Sequence, residues 1–243
     1  MSKHPLPTIV VPARLASSRF PQKLLADADG MPLILRTATR LRQQVPEYEL
    51  AFAVDGEEIA RPLREKGFTC VLTNPDLPSG TDRIAQANKI LHCEEIINVQ
   101  ADEPMVLREH ILALTKALQK EGTDLATLAA PFDGVKDFQD PNQVKVVLDL
   151  SGYALLFSRA PIPYDRESHG AVAQNCFKHL GMYAYKADFL KEFINLPIGY
   201  LEGFEKLEQL RALENGKRIS VEIVAHGTHG VDVPEDLASL SFS

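Results

Sequence analysis

From Thr8 to Ala129, short β-branched runs alternate with longer segments of helical periodicity, and that cadence leaves few folds open. Strands are predicted at Thr8–Val11 (ending at Pro12), Leu50–Val54, Thr69–Leu72, Ile96–Val99 and Leu125–Ala129. Between them, Leu33–Gln44, Glu57–Glu65, Thr81–Leu91 and Arg108–Lys120 read as helices. Strand, helix, strand at this spacing means βαβ units, and hence an α/β fold with a largely parallel sheet covered by helices. Ligands of such sheets bind beyond the carboxyl ends of the strands. The loops Pro12–Leu24, Asp55–Gly56, Asn74–Gly80 and Ala101–Met105 leave those ends, and the unusual polar residues collect there.

The cadence breaks near Phe132. Val144–Leu148 and Tyr153–Phe157 flank the connection Asp149-Leu150-Ser151-Gly152, which predicts an antiparallel hairpin. Pro161 and Pro163 turn the following segment into loop. Leu180–Tyr185 is then strand-like, Ala187–Ile194 and Glu205–Leu213 are helical, Ser220–Val224 is a strand, and Pro234 opens a terminal helical turn. There is no repeat and no low-complexity linker. The expectation is one domain over residues 1–243 with a hairpin-bearing insertion around 140–195.

A formal charge of −7 makes the chain a poor general attractor of nucleic acid or anionic membrane, though it leaves room for a local basic pocket. No run approaches the roughly 18 apolar residues of a membrane span. Near the N-terminus, Pro5 and Pro7 precede an apolar run of only Ile9–Val11, too short for a signal-peptide core. Cys70, Cys93 and Cys176 are sparse and form no CxxC pair, as in a reducing compartment. Together these predict a cytoplasmic protein without stable membrane insertion.

Arg14, Arg19 and Lys23 put three cations within ten residues after the first strand. A polyphosphate needs dispersed positive charge, which Arg supplies as a rigid fork and Lys as a point charge. From spacing alone the segment is equally a solvated loop with surface ion pairs. It lacks the glycines and the Gly-Lys-Ser/Thr ending of a Walker loop. Asp102 and Glu103 follow an apolar strand at once, but acids are common in loops. His226 and His229 are flanked by Gly227 and Gly230 without a cysteine nearby, which argues against zinc. His179 opens an alternating strand and reads as a hydrogen-bonded edge histidine. Glu205, Glu208, Gln209 and Ala212 fall at helical spacing as one polar stripe, which by periodicity alone is a solvated face. At Ser79-Gly80-Thr81-Asp82-Arg83 a loop becomes a helix, and such an edge offers backbone donors while Gly80 permits close approach.

The segment Val11-Pro-Ala-Arg-Leu-Ala-Ser-Ser-Arg-Phe-Pro-Gln-Lys23 resembles the N-terminal signature of the 3-deoxy-manno-octulosonate (Kdo) cytidylyltransferases, also called CMP-Kdo synthetases. Further matches follow in family order: Ser79–Arg83, Asn98–Pro104, Val144–Asp149, Ala154–Ala160, His179–Tyr185, Leu207–Arg211 and Val231–Leu237. The resemblance covers roughly residues 8–240. It implies a Rossmann-like, three-layer nucleotidyltransferase fold with a mostly parallel central sheet and an inserted β-rich region through which homodimers form. It also implies transfer of CMP from CTP to the anomeric hydroxyl of Kdo, with magnesium as cofactor and pyrophosphate as product, for lipopolysaccharide assembly.

The resemblance also assigns roles. Arg14, Arg19 and Lys23 would stabilise the triphosphate, and Asp102 and Asp232 would orient magnesium rather than attack covalently. Pro12, Ala13, Ser79, Gly80 and Arg83 join these cations and Asp102 at the nucleotide, and cytosine preference is carried by the Ser79–Arg83 match. Gln100, Arg159, His179, Tyr183, Glu208 and Gln209 form the sugar pocket, with Arg159 the cation for the sugar carboxylate. Val146, Leu148, Leu155 and Phe157 are expected to supply the apolar dimer surface. Two rivals stay open: a cytidylyltransferase for 8-amino-Kdo or another acidic sugar, and a non-catalytic nucleotide sensor of the same fold. No general base is singled out. The chain departs from the family at Gln22 and Ala101, where glycine is usual, at Leu24 (usually Pro), Val233 (often Thr) and Asp82 (usually Glu).

Overall fold

The computed structural model describes residues 5–17, 20–167, 176–228 and 230–241. The chain divides into two compact units, the first of residues 1–111 with 228–243 and the second of residues 112–227.

Strands β1 (Thr8–Ala13), β2 (Leu50–Val54), β3 (Thr69–Leu72) and β4 (Glu95–Asn98) carry the first unit. They run parallel in the order β3-β2-β1-β4. Ile9, Val10, Val11, Phe52 and Val54 are all buried, as expected of strands covered on both faces, which read as unbroken apolar runs. The strand β1 continues two residues past its predicted end. Pro12 is tolerated there because pairing with β4 stops at Val10, while pairing with β2 runs on to Ala13. Helices α1 (Leu33–Gln44), α2 (Glu57–Glu65) and α3 (Gly80–Leu91) belong to this unit, and α4 (Arg108–Leu118) begins in it. Buried Leu33, Ile34, Leu41, Ile59, Leu63 and Ile84 show their inward faces. The first three predicted helices match these spans to within a residue; α4 stops two residues short.

In the second unit β5 (Leu125–Pro131) pairs antiparallel with β8 (Phe177–Lys186) and parallel with β9 (Ile219–Ile223). The predicted hairpin is β6 (Lys145–Leu148) against β7 (Ala154–Ser158), and β6 also pairs with β8. Its turn is fixed by Asp149, whose Oδ1 accepts from Ser151 N at 2.8 Å and Tyr153 N at 2.9 Å. Short helices α5 (Val135–Gln139), α6 (Ala187–Phe193), α7 (Tyr200–Glu205) and α8 (Leu210–Glu214) complete it, and α9 (Pro234–Ser239) returns to the first unit.

Two expectations are corrected here. The helix predicted over Glu205–Leu213 does not exist: α7 ends at Glu205, Lys206 turns left-handed (φ 54°), and the helix restarts only at Leu210. The polar stripe inferred from its periodicity is therefore absent. The first turn of α7 is held instead by Glu214, whose carboxylate accepts from Leu201 N at 2.8 Å and Glu202 N at 3.2 Å. A Cβ at Gly199 would meet Glu214 Oε2 at 2.1 Å, so any larger residue there would displace the carboxylate that caps α7. The second correction concerns the apolar hairpin face. Val146 (1% exposed) and its cross-strand partner Phe157 (0%) are core residues, whereas Leu155, skipped where the β6–β7 register slips, is 63% exposed. Among the described residues no helix is long and apolar enough to cross a membrane.

Candidate functional site

In the first unit the basic loop leaves β1 at Ala13 and is pinned by a residue that sequence reasoning did not single out. Asp55, at the end of β2, accepts from Leu15 N through both carboxylate oxygens, at 3.1 and 2.9 Å. Its own N–H donates to Ala13 O at 3.2 Å. The neighbouring Arg14 is exposed, and Arg19 lies outside the described residues. Gln22 adopts φ 53°, in the left-handed region that favours glycine. It opens a 3₁₀ turn over Lys23–Leu25, which turns Lys23 inward.

The Lys23 ammonium is nearly buried. It donates to Asp102 Oδ2 at 2.5 Å and Val231 O at 2.5 Å, and lies 3.7 Å from Asp232 Oδ1. The segment carrying Asp232 is held against the β4 loop by the bond from Val231 N to Asp102 O at 2.9 Å. Asp236 accepts from Asp232 N at 2.8 Å and Val233 N at 2.9 Å, fixing the entry to α9. On the other side of the loop, Thr37 of α1 donates to Ala101 O at 2.8 Å. Ala101 is not among the residues with positive φ, so alanine replaces glycine there without left-handed strain.

Pro12, Arg14, Lys23, Gln100, Asp102 and Asp232 line one cavity of about 230 Å³. An open cleft of about 820 Å³ shares Arg14, Ala16 and Ser17 with it and adds Gln22, Asp55 and Pro75. The start of α3 packs on the end of β1, where a Cβ at Gly80 would meet Pro12 Cγ at 3.2 Å. Ser79 caps α3 through a reciprocal pair: its Oγ donates to Asp82 Oδ2 at 2.7 Å and accepts from Asp82 N at 3.1 Å. Arg83 is buried, donating to Thr73 Oγ1 at 2.5 Å and Asn74 O at 3.2 Å, so it clamps the 73–75 loop. Burial pushes its guanidinium pKa down.

The donor set suits a hard divalent cation. Two carboxylates converge on one point of positive charge, and magnesium is commonly held by one or two carboxylates plus substrate phosphates. Among the described residues there is no cluster of three or more His, Cys, Asp or Glu that would hold a metal on its own.

Of the six predicted sugar residues, Gln100 belongs to the first unit and the other five to the second. Arg159 is held by the end of α7: its Nε donates to Glu205 O at 2.8 Å, its backbone N to Glu205 Oε2 at 2.9 Å, and Nη1 to Pro141 O at 3.1 Å. Glu205 also accepts from Ser158 Oγ at 2.6 Å. The buried Lys145 ammonium donates to Arg159 O at 3.0 Å and Asp140 O at 2.7 Å. On β8, His179 stands between the Phe157 ring (centroids 4.9 Å apart) and the Tyr183 ring (5.6 Å). Burial pushes the imidazole pKa down to about 3. Tyr183 donates to Gln209 Oε1 at 3.3 Å, and burial with the nearby Glu208 carboxylate pushes its phenol pKa up. Arg211 makes a bidentate pair with Glu202 (2.8 and 2.6 Å) and reaches Glu208 at 3.9 Å. Among the described residues, Nε2 of the buried Gln209 has no hydrogen-bond partner.

An α/β fold of this kind, with a basic loop and the Asp102 and Asp232 carboxylates beside it, fits the Rossmann-like nucleotidyltransferase class. Residues 8–219 match the profile of the family described as cytidylyltransferase. The chain is 46% identical over 235 residues to the 3-deoxy-manno-octulosonate cytidylyltransferase of Syntrophobacter fumaroxidans, covering 95% of this chain and 94% of that one. It is 42% identical to the enzyme of that name from Geobacter sulfurreducens, covering 95% and 96%. A solved CMP:2-keto-3-deoxy-manno-octonic acid synthetase in complex with CTP superposes with a TM-score of 0.89 at 35% identity, covering 96% of this chain and 95% of that one. A putative glucose-1-phosphate thymidylyltransferase from Bacillus anthracis, at TM-score 0.64 and 12% identity, shares the fold alone. The chain belongs to the cytidylyltransferase family, and within it to the 3-deoxy-manno-octulosonate cytidylyltransferases.

Proposed function

We propose that this chain transfers CMP from CTP to the anomeric hydroxyl of Kdo and releases pyrophosphate. The observation that carries the reading is the Asp102–Lys23–Asp232 constellation at the mouth of the basic loop, in a chain of this family. The C2 hydroxyl oxygen bonds to the α-phosphorus of CTP, the bond from that phosphorus to the β-phosphate bridging oxygen breaks, and the hydroxyl proton is lost. Arg14, Arg19 and Lys23 offset charge on the triphosphate as it develops on the leaving oxygens. Asp102 and Asp232 would hold magnesium, which when bound supplies positive charge to the phosphates and the departing pyrophosphate. The end of β1 at Pro12 and Ala13, with Ser79 and Gly80, binds the nucleotide, and Arg83 acts there by holding the 73–75 loop. Arg159 takes the sugar carboxylate, while Gln100, His179, Tyr183, Glu208 and Gln209 take its hydroxyls. The orphaned Nε2 of Gln209 supports this, because a buried amide donor without a partner has a ligand oxygen to gain.

Pyrophosphate release tests the reading. It should require CTP, Kdo and magnesium together and should not be supported by ATP in place of CTP. Release from ATP with equal efficiency would overturn the assignment.

In this reading the two units act as a single catalytic domain with an insertion around 140–195, and the enzyme works in the cytoplasm as a homodimer. The exposed Tyr200 and Phe204, whose rings touch at a tilt of 40° (centroids 4.5 Å apart), and exposed Leu155 provide apolar surface for association. Sedimentation at micromolar concentration should give twice the monomer mass, and a monomeric mass would remove the dimer.

A further inference from the structure

The pairing of β5 with β8 slips between Thr127 and Leu128. Thr127 faces Tyr183 while Leu128 faces Leu180, so Gly181 and Met182 are additional on the β8 side. This bulge brings two carbonyl oxygens to the fully buried Thr127 hydroxyl, Met182 O at 2.8 Å and Leu180 O at 3.2 Å. A third neighbour, His179 Nε2, lies at 3.0 Å.

A hydroxyl carries one proton and two lone pairs. Neither carbonyl can donate, so the proton must point at a carbonyl oxygen; otherwise Oγ1 would face two oxygens lone pair to lone pair. What Thr127 offers His179 is then a lone pair, and Nε2 must carry a hydrogen. A neutral imidazole has only one N–H, so Nδ1 is left as an acceptor. The apolar contacts of the ring with Phe157 and Tyr183 favour the neutral form.

We infer that Thr127 is a positioning residue that locks His179 as its Nε2–H tautomer, so that Nδ1 accepts a hydrogen bond from a sugar hydroxyl. The sugar-facing half of this inference rests on the functional reading above; the tautomer does not. A lone pair at Nδ1 attracts a hydroxyl hydrogen and repels carboxylate oxygens. His179 therefore reads a hydroxyl, which leaves the sugar carboxylate to Arg159 and fixes the direction in which the sugar enters.

Long-range ¹⁵N–¹H correlation spectra of the full-length, ligand-free protein at neutral pH decide the tautomer, with the His179 signals assigned by their loss in His179→Gln. The expected pattern is a protonated Nε2 and an unprotonated Nδ1. Thr127→Val keeps the shape and removes the acceptor. It should give a mixture of tautomers and raise the KM for Kdo about two- to tenfold, the worth of one neutral hydrogen bond, with the KM for CTP and kcat little changed. Thr127→Ser should restore both readouts, and Thr127→Ala, which also lacks the acceptor, stands in should Thr127→Val fail to fold. A wild-type Nδ1–H pattern, or Thr127→Val leaving spectrum and KM unmoved, would overturn the inference. A Kdo-inert enzyme with the expected spectrum would overturn the functional reading and the sugar-facing half, while the Thr127–His179 lock stood.

Discussion

The candidate site residues of the two units handle charge in opposite ways. In the first unit, opposite charges meet at a cavity: one nearly buried ammonium lies between Asp102 and Asp232, with Arg14 exposed on the same wall. In the second, Arg211 is paired with Glu202, the Arg159 guanidinium is bonded to the carbonyl oxygens of Glu205 and Pro141, and the remaining contacts are neutral hydrogen bonds and ring packing. In the proposed function, a triphosphate and its metal would bring charge that the first arrangement absorbs by exchanging partners. A polyol would bring hydroxyls, which a pre-bonded and largely neutral surface sorts by direction. Damage to the first unit should therefore appear in turnover and metal dependence, and damage to the second in sugar affinity.

The largest effect is expected for Asp102→Asn and Asp232→Asn. Each removes a charge without changing size and should lower kcat by about 10²–10³. The circular dichroism spectrum should stay as in the wild type, and a steady-state magnesium titration reads the loss. Near-normal rates at low magnesium would erase the contrast between the units. Next comes Arg159→Ala, which should raise the KM for Kdo on the order of 10–100-fold by deleting a charge-assisted contact, with CTP binding by calorimetry unchanged. A comparable loss in CTP affinity would show that the units do not divide the substrates.

A smaller effect concerns pH. Folded His179 has its pKa lowered to about 3, below the ordinary imidazole value of 6.5. Between these values the unfolded chain binds a proton that the folded chain does not. Stability should rise with pH through this window, by up to about 1.4 kcal/mol per pH unit from this group, and level off above it. Urea unfolding at several pH values would show a shallower rise in His179→Gln. The smallest change is expected for Gln22→Gly, which relieves a left-handed φ of 53° at the entropic cost of a glycine. The net gain is on the order of 0.5 kcal/mol, seen as a slightly higher urea midpoint with turnover kept.

The same contrast explains what was legible in the sequence. The parallel strands and α1–α3 announce themselves by apolar runs and 3.6-residue periodicity, and the first-unit candidates sit in short loops directly after those strands. The second-unit residues come from three separate parts of the chain, and local pattern misled there. Glu205–Leu213 has the composition of a helix, yet Glu205 is drawn to Ser158 and the Arg159 backbone, and Lys206 breaks the chain direction. Asp55 and Thr127 were invisible for a related reason. Their partners Leu15, Met182 and His179 lie 40 or more residues away, and the bulge that aims the Met182 carbonyl leaves no mark in composition. Arg83, a cation expected at the nucleotide, has its guanidinium engaged by the protein's own 73–75 loop, a contact that its spacing did not foretell.

The central claim is that the second unit is built for Kdo and the first for CTP. Catalytic efficiency measured side by side with Kdo, 8-amino-Kdo and a sialic acid, at saturating CTP and magnesium, tests it most directly. Kdo should lead by at least about tenfold, a margin that needs only about 1.4 kcal/mol of differential transition-state stabilisation. An equal lead for 8-amino-Kdo would contradict the sugar assignment while leaving cytidylyl transfer intact, and a lead for sialic acid would contradict the reading of the whole second-unit pocket.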